Sequence, residues 1–205
     1  MSAAAGTVID ARSGAAARRE HILDAAEACF VRNGFHRTTM QDLAREAAMS
    51  PGNIYRYFES KEAVVIGLAD REWARGEILV EAMERAGDRR GALSGVIERY
   101  FTQATRAGAI LRLDLWCEAT RNPAIAAIVQ QGEDEARAWF TETLAALAAP
   151  GCDAAALYAA LNPLMKGILV NKALDAGYDV GPAVAELRAL IEAGLTGPAA
   201  GEAVR

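Results

Sequence analysis

The segment Ser50-Pro51-Gly52-Asn53-Ile54-Tyr55-Arg56-Tyr57 concentrates more recognition chemistry than any other stretch of the sequence. An amide, a guanidinium and two phenolic hydroxyls fall within five residues. Asn53 offers a donor and an acceptor in one plane, matching the edge of adenine. The Arg56 fork matches the edge of guanine, or equally well a phosphate. Tyr55 and Tyr57 each add an aromatic hydroxyl to the same short helix, unless one of them packs inside. Pro51 and Gly52 allow the backbone to approach a partner closely. Ser50, and Thr39 earlier in the chain, place hydroxyls and free N–H groups at helix starts, where phosphate is favoured. The chemistry is that of contact with a groove of double-stranded DNA.

Such residues need a rigid mount, and residues 38–62 (TTMQDLAREAAMSPGNIYRYFESKE) supply one. Thr39 caps one short helix, with Asp42 three residues on completing a capping-box-like pair. Ser50 caps a second helix, Pro51 to Phe58, with Pro51 at the position where a missing N–H costs nothing. Ser60 caps a third that begins Lys61-Glu62. A preceding helix from about Ala16 to Asn33 has Ile22, Ala25, Ala26, Cys29 and Phe30 on one face, and Gly34 ends it. Phe35, Leu43, Ala44, Ala47, Met49, Ile54 and Phe58 should close a small three-helix core. Arg12, Arg18 and Arg19, near the junction with the N-terminal tail, either reach a phosphate backbone or minor groove or are merely solvated.

The rest of the 205 residues is also helical in pattern. Apolar residues recur at helical spacing from about residue 18 to 195, and no alternating strand pattern stands out, so the chain should be all-α. A helical pattern continues from Ser60 to about Ala86, roughly 40 Å at about 1.5 Å per residue. Further helices are expected over about 89–106 and 109–120, from Pro123 behind the cap Asn122, after Asp153, and over about 182–195. Pro163 should kink the eighth. The last two are rich in small and aliphatic residues, suited to antiparallel packing with a second face left for a partner chain. Tyr100, Arg112, Trp116, Glu118, Trp139 and Met165 are candidates to line an apolar cavity with a few orienting polar groups. The expected domains are a disordered tail (1–15), a DNA-binding domain (16–62), a ligand-binding and dimerisation domain (63–197) and a flexible tail (198–205).

Charge and composition restrict the alternatives. The net charge of −5 is uneven: residues 1–61 hold eight Lys/Arg and seven Asp/Glu, or +1, leaving −6 for residues 62–205. The acidic part can sit away from DNA while local cations face phosphate. Three widely spaced cysteines, Cys29, Cys117 and Cys152, point to a reducing cytoplasm rather than a disulfide framework. No apolar run approaches the roughly 18 residues that would span a bilayer, and no secretory leader is evident. His21 and His36 are isolated, so neither a metal site nor a cofactor is expected. No nucleophile–base pair or carboxylate pair lies at useful spacing, so no catalytic residue is expected. Glu133-Asp134-Glu135 reads as a solvated helical face.

Residues 19–66 closely resemble the DNA-binding domain of the tetracycline-repressor (TetR) family of bacterial regulators. The resemblance is carried by Arg19-x-x-Ile22-Leu23-x-Ala25-Ala26, Phe30, Gly34-Phe35, Thr38-Thr39, Asp42-Leu43-Ala44-x-x-Ala47, Ser50-x-x-x-Ile54-Tyr55-x-Tyr57-Phe58 and Ser60-Lys61-Glu62. Beyond it, Leu115-Trp116-x-Glu118-Ala119-x-Arg121-Asn122-Pro123 is similar to the family less specifically. The resemblance implies that Tyr55 and Tyr57 contact DNA, and that Thr38 and Lys61 contact phosphate. It implies a homodimer on a palindromic operator, a repressor released by a small-molecule effector, and a cytoplasmic protein located on the nucleoid when bound. The family usually has glycine where this chain has Ala48. A left-handed backbone there would cost alanine on the order of 1 kcal/mol. Rival readings are a ligand-independent architectural DNA binder and an enzyme within the C-terminal bundle.

Overall fold

A computed structural model describes residues 3–85 and 87–196, with side chains described from residue 14 onward except at 72–80 and 82–84. The chain is all-α, as its periodicity implies. Helix α1 spans Ala3–Asn33, α2 Met40–Glu46, α3 Pro51–Tyr55 and α4 Lys61–Arg85. Helix α5 (Arg89–Ile97) runs into one π-helical turn, Glu98–Thr102. Then come α6 (Arg106–Ala119), α7 (Pro123–Leu147), α8 (Ala154–Leu174) and α9 (Gly181–Thr196). Compactness divides the chain into Met1–Asp70 and Arg71–Arg205.

In the N-terminal unit α1, α2 and α3 close on Ile22, Leu23, Ala26, Phe30, Leu43, Ala44, Ile54 and Phe58, all buried. The first residues of α4 add Val64, Val65 and Leu68 to this core. The compact unit therefore runs past residue 62, where the sequence pattern placed its end. Helix α1 begins at Ala3, not Ala16, so residues 3–15 are helical where a disordered tail was expected. The alanines of this stretch have the strongest helix preference of any residue, and no proline interrupts them. The expected tail at 198–205 lies outside the described residues.

In the C-terminal unit a continuous core joins Leu93, Val96, Ile97 and Phe101 to Phe140, Leu144, Tyr158, Leu161, Met165, Ile168, Leu187 and Ile191. Helix caps fall where short polar side chains stand: Asp88 accepts from Gly91 N, Thr105 from Gly108 N, Asn122 from Ala124 N and Ile125 N, and Asp153 from Ala156 N. The fifth helix was expected to continue to about 106, but after Ile97 it widens by one residue per turn. Gln103 N donates to Glu98 O across that turn, and Lys172 Nζ donates to the Phe101 carbonyl at 2.9 Å. Helix α8 passes through Pro163, which lies on its exposed side. Among the described residues no helix is long and apolar enough to cross a membrane.

Candidate nucleic-acid interface

The short α3 is held by one apolar anchor and two well-made ends. Ile54 is fully buried beneath it, and Ser50 Oγ accepts from Asn53 N at 3.3 Å. The helix ends at Tyr55, one turn before the expected Phe58, although Tyr57 N and Phe58 N still donate to Ile54 O. Pro51, Gly52, Tyr55 and Arg56 are exposed, and Asn53 and Tyr57 are half-buried. Tyr55 keeps 53% of its surface, which is large for a ring on so small a domain. Burying Ile54 and Phe58 forces the intervening Tyr55 and Arg56 outward.

The turn between α2 and α3 is a Schellman closure. Met49 N donates to Ala44 O at 2.9 Å and Ala48 N to Arg45 O at 3.2 Å. That closure needs a left-handed residue, and Ala48 supplies it with φ +51°. Ala48 thus adopts the conformation that its position in the sequence pattern demands of glycine. His21, with no role expected in the sequence beyond packing or solvation, uses Nε2–H to donate to Ala47 O at 2.9 Å, tying α1 to this turn. At the start of α2 the capping box is complete. Thr39 N and Oγ1 both donate to Asp42 Oδ2, and Asp42 N donates to Thr39 Oγ1. These bonds from Thr39 hold the Asp42 carboxyl below its ordinary pKa. The Arg32 guanidinium does the same for Glu46, 2.7 Å away.

Two candidate phosphate contacts are placed differently from expectation. Thr38 is fully buried, and its hydroxyl donates to Gly34 O at 2.9 Å and Cys29 O at 3.4 Å. Its side chain closes the α1–α2 loop from within and has no surface to offer a phosphate. Lys61 is half-buried, with Nζ donating to Phe35 O at 2.8 Å and lying 4.1 Å from the centroid of the Phe35 ring. One of its three donors is already used inside the domain. Thr39 and Ser50 remain exposed.

Beside α3 lies an open groove of about 460 Å³, lined by Arg19, Tyr55, Arg56, Tyr57, Phe58, Glu59 and Ala63. The Arg19 guanidinium sits 5.1 Å from the centroid of the Phe58 ring, so this arginine is parked at the edge of the candidate interface. Gly67 makes that packing possible. A Cβ at Gly67 would lie 2.8 Å from Phe58 Cε1 and 3.0 Å from Arg19 Nη2.

The candidate ligand residues of the C-terminal unit fall into two groups. Arg112 lies over the Tyr100 ring at 4.9 Å. Trp116 and Trp139 are half-buried against the core that contains Met165, with Trp139 edge-on to Phe140 at 5.0 Å. Glu118 is buried. Lys166 was missed as a candidate, and it joins Trp116 to Glu133. Within the acidic run only Asp134 and Glu135 behave as a solvated face, bonding to neighbours on α7. Glu133 turns to α8 instead. Among the described residues no group of three His, Cys, Asp or Glu side chains is placed to hold a metal.

An anchored short helix, a Schellman turn and a capped helix before it define a helix-turn-helix protein with a second, larger helical unit. Residues 22–68 match bacterial regulatory proteins of the tetR family, and residues 89–196 match the C-terminal domain of BetI-type transcriptional repressors. The chain belongs to the TetR family of bacterial regulatory proteins. It is 32% identical over 116 residues to the HTH-type transcriptional regulator UidR of Escherichia coli strain K12, a match covering 55% of this chain and 57% of that one. The chain thus spans little more than half the length of such relatives. In fold it is similar to a transcriptional regulator from Saccharomonospora viridis in complex with choline (TM-score 0.73, 23% identity, 85% of this chain and 95% of that one). It is also similar to the fatty acid degradation regulator FadR of Bacillus halodurans (TM-score 0.71, 22% identity, 88% and 99%).

Proposed function

We propose that the protein is a homodimeric repressor that binds a palindromic operator and is released by a small molecule bound in its C-terminal unit. The observation that carries the DNA half is the outward face of α3. Tyr55, Arg56, Pro51 and Gly52 stand exposed around a helix pinned by buried Ile54. Asn53 and Arg56 read base edges, Tyr55 and Tyr57 hold phosphates and flank bases, and Thr39, Ser50 and Lys61 position the helix on the backbone. Two copies related by a two-fold axis place two such helices in major grooves about 34–36 Å apart or a multiple of that.

The dimer forms through α8 and α9, where Leu174 and Leu190 keep 70% and 49% of their surface exposed. The effector binds among Tyr100, Arg112, Trp116, Glu118, Trp139 and Met165, and the choline complex of a protein of similar fold supports a small-molecule effector. Helix α4 begins in the first unit and ends in the second, so effector binding acts on DNA affinity through it. The effector must then bind the released state more tightly than the DNA-bound state. The test is nuclease protection of the promoter region beside the protein's own gene, followed by thermal-shift screening of metabolites. A protected palindrome, lost again with a stabilising metabolite, is expected. Absence of a protected palindrome contradicts the DNA half, and protection unmoved by every stabilising metabolite contradicts the effector half.

A further inference from the structure

His21 is exposed on α1, yet its Nε2 lies 2.9 Å from the carbonyl oxygen of Ala47, 26 residues further along the chain. A carbonyl oxygen can only accept, so Nε2 carries the proton and donates. The acceptor stands at the point where the chain turns from α2 into α3. There Ala47 N donates to Leu43 O, Ala48 N to Arg45 O and Met49 N to Ala44 O. Ala47 O receives no backbone N–H among the described residues, and it adjoins Ala48 with its φ of +51°. A helix leaves its last carbonyls without partners, and the imidazole of α1 satisfies this one.

The setting of α3 depends on that turn. Helix α2 packs on α1 and α3 on α2, while the backbones of α1 and α3 come close at few points. Other ties from α1 reach α2 away from the turn. Arg32 meets Glu46 at 2.7 Å, with 56% and 34% of those side chains exposed, and Cys29 Sγ approaches Asp42 O at 3.8 Å. An ion pair so open to water restrains little. The bond from His21 holds the carbonyl of the turn itself. Contacts to base edges depend on distance and angle at fixed atoms, whereas phosphate contacts carry no sequence information and hold the protein on any duplex.

We propose that His21 is a positioning residue for operator recognition: its bond to Ala47 O fixes the α2–α3 turn, and so the angle at which Asn53 and Arg56 meet base edges. This rests on the reading of α3 as the helix that reads DNA. His21 acts through Ala47 and makes no DNA contact of its own. Losing the bond costs base readout and spares the phosphate contacts, so the specific complex weakens and the non-specific one does not.

Full-length wild type, His21→Ala and His21→Gln are compared by fluorescence anisotropy at one fixed salt concentration. The probes are the palindrome that wild type selects from a random pool and a scrambled duplex of the same length and composition. The glutamine amide presents a donor where Nε2 stands, and alanine has none. His21→Ala is expected to bind the palindrome about tenfold more weakly, about 1.4 kcal/mol. Its affinity for the scrambled duplex is expected within about twofold of wild type, because phosphate contacts carry that binding. His21→Gln is expected to recover the affinity for the palindrome. Unchanged affinity of His21→Ala for the palindrome overturns the proposal, as does an equal loss on both duplexes or a loss that glutamine does not recover. Should His21→Ala not fold, His21→Asn, whose amide is too short to reach Ala47 O, carries the same expectation. A selected palindrome that His21→Ala binds like wild type refutes the positioning role alone, whereas wild type that selects no palindrome refutes the DNA-reading assignment of α3 as well.

Discussion

Replacing Ala48 with glycine should stabilise the protein. Ala48 sits at φ +51° in the turn that closes α2, and its methyl group is exposed. A left-handed backbone costs a non-glycine residue about 1–2 kcal/mol, which glycine avoids. Glycine gives back about 0.4–1 kcal/mol through the larger freedom of the unfolded chain. The balance is a gain of about 0.5–1 kcal/mol, since no packed contact is lost with the methyl group. In a chain of this size that corresponds to a rise of about 1–4 °C in Tm. Urea denaturation followed by circular dichroism measures it, with an increased midpoint and unchanged slope as the expected result. Ala48→Val should move the midpoint the other way, because a β-branched side chain tolerates the left-handed region poorly. A glycine variant no more stable than wild type would refute the claim that this turn stores strain.

Gly67→Ala should destabilise the N-terminal unit by about 1–2 kcal/mol: overpacking costs about 1–3 kcal/mol and the better helix former recovers up to about 1 kcal/mol. The rigid Phe58 ring stands 2.8 Å from where the new carbon would be, and a midpoint equal to wild type would contradict the crowding. For Asp42 the sign of the pH effect follows from its lowered pKa: the stabilisation is fully present above the unfolded-state value near 3.8 and is lost as pH falls through the lower folded value. Asp42→Ala should therefore lose stability at neutral pH and show a shallower acid limb than wild type. Identical acid limbs in the two proteins would contradict this assignment.

Much of the N-terminal unit was legible because its signals are local. Thr39 and Ser50 announce helix starts by bonds made within three residues and Pro51 by its missing N–H, and Ile22, Phe30, Leu43, Ile54 and Phe58 mark the apolar faces of their helices. The left-handed turn at Ala48 was suggested only by the family resemblance, which puts glycine at that position. What stayed hidden depends on contacts far apart in the chain. Thr38 looks like a phosphate ligand until its hydroxyl is found bonded to Gly34 O and Cys29 O. Lys61 bonds 26 residues back to Phe35 O, and His21 reaches 26 residues forward to Ala47 O. Glu133 lies in an acidic run whose composition signals solvent, yet one helical position turns it toward Lys166. The π-helical turn after Ile97 has no sequence signal in Glu-Arg-Tyr-Phe-Thr, and its Phe101 carbonyl is met by Lys172 from α8.

The exposed face of α3 is the part of the molecule proposed to hold DNA. Fluorescence anisotropy tests it directly, using the palindrome that the protein selects from a random pool. Wild type and Tyr55→Phe are compared at one fixed physiological salt concentration, because affinity depends steeply on salt. Removing one hydroxyl bond to a charged phosphate oxygen forfeits about 1.5–3 kcal/mol, a loss of about tenfold or more. That loss is expected with the sedimentation-derived oligomeric state unchanged. Wild-type affinity in Tyr55→Phe would contradict it.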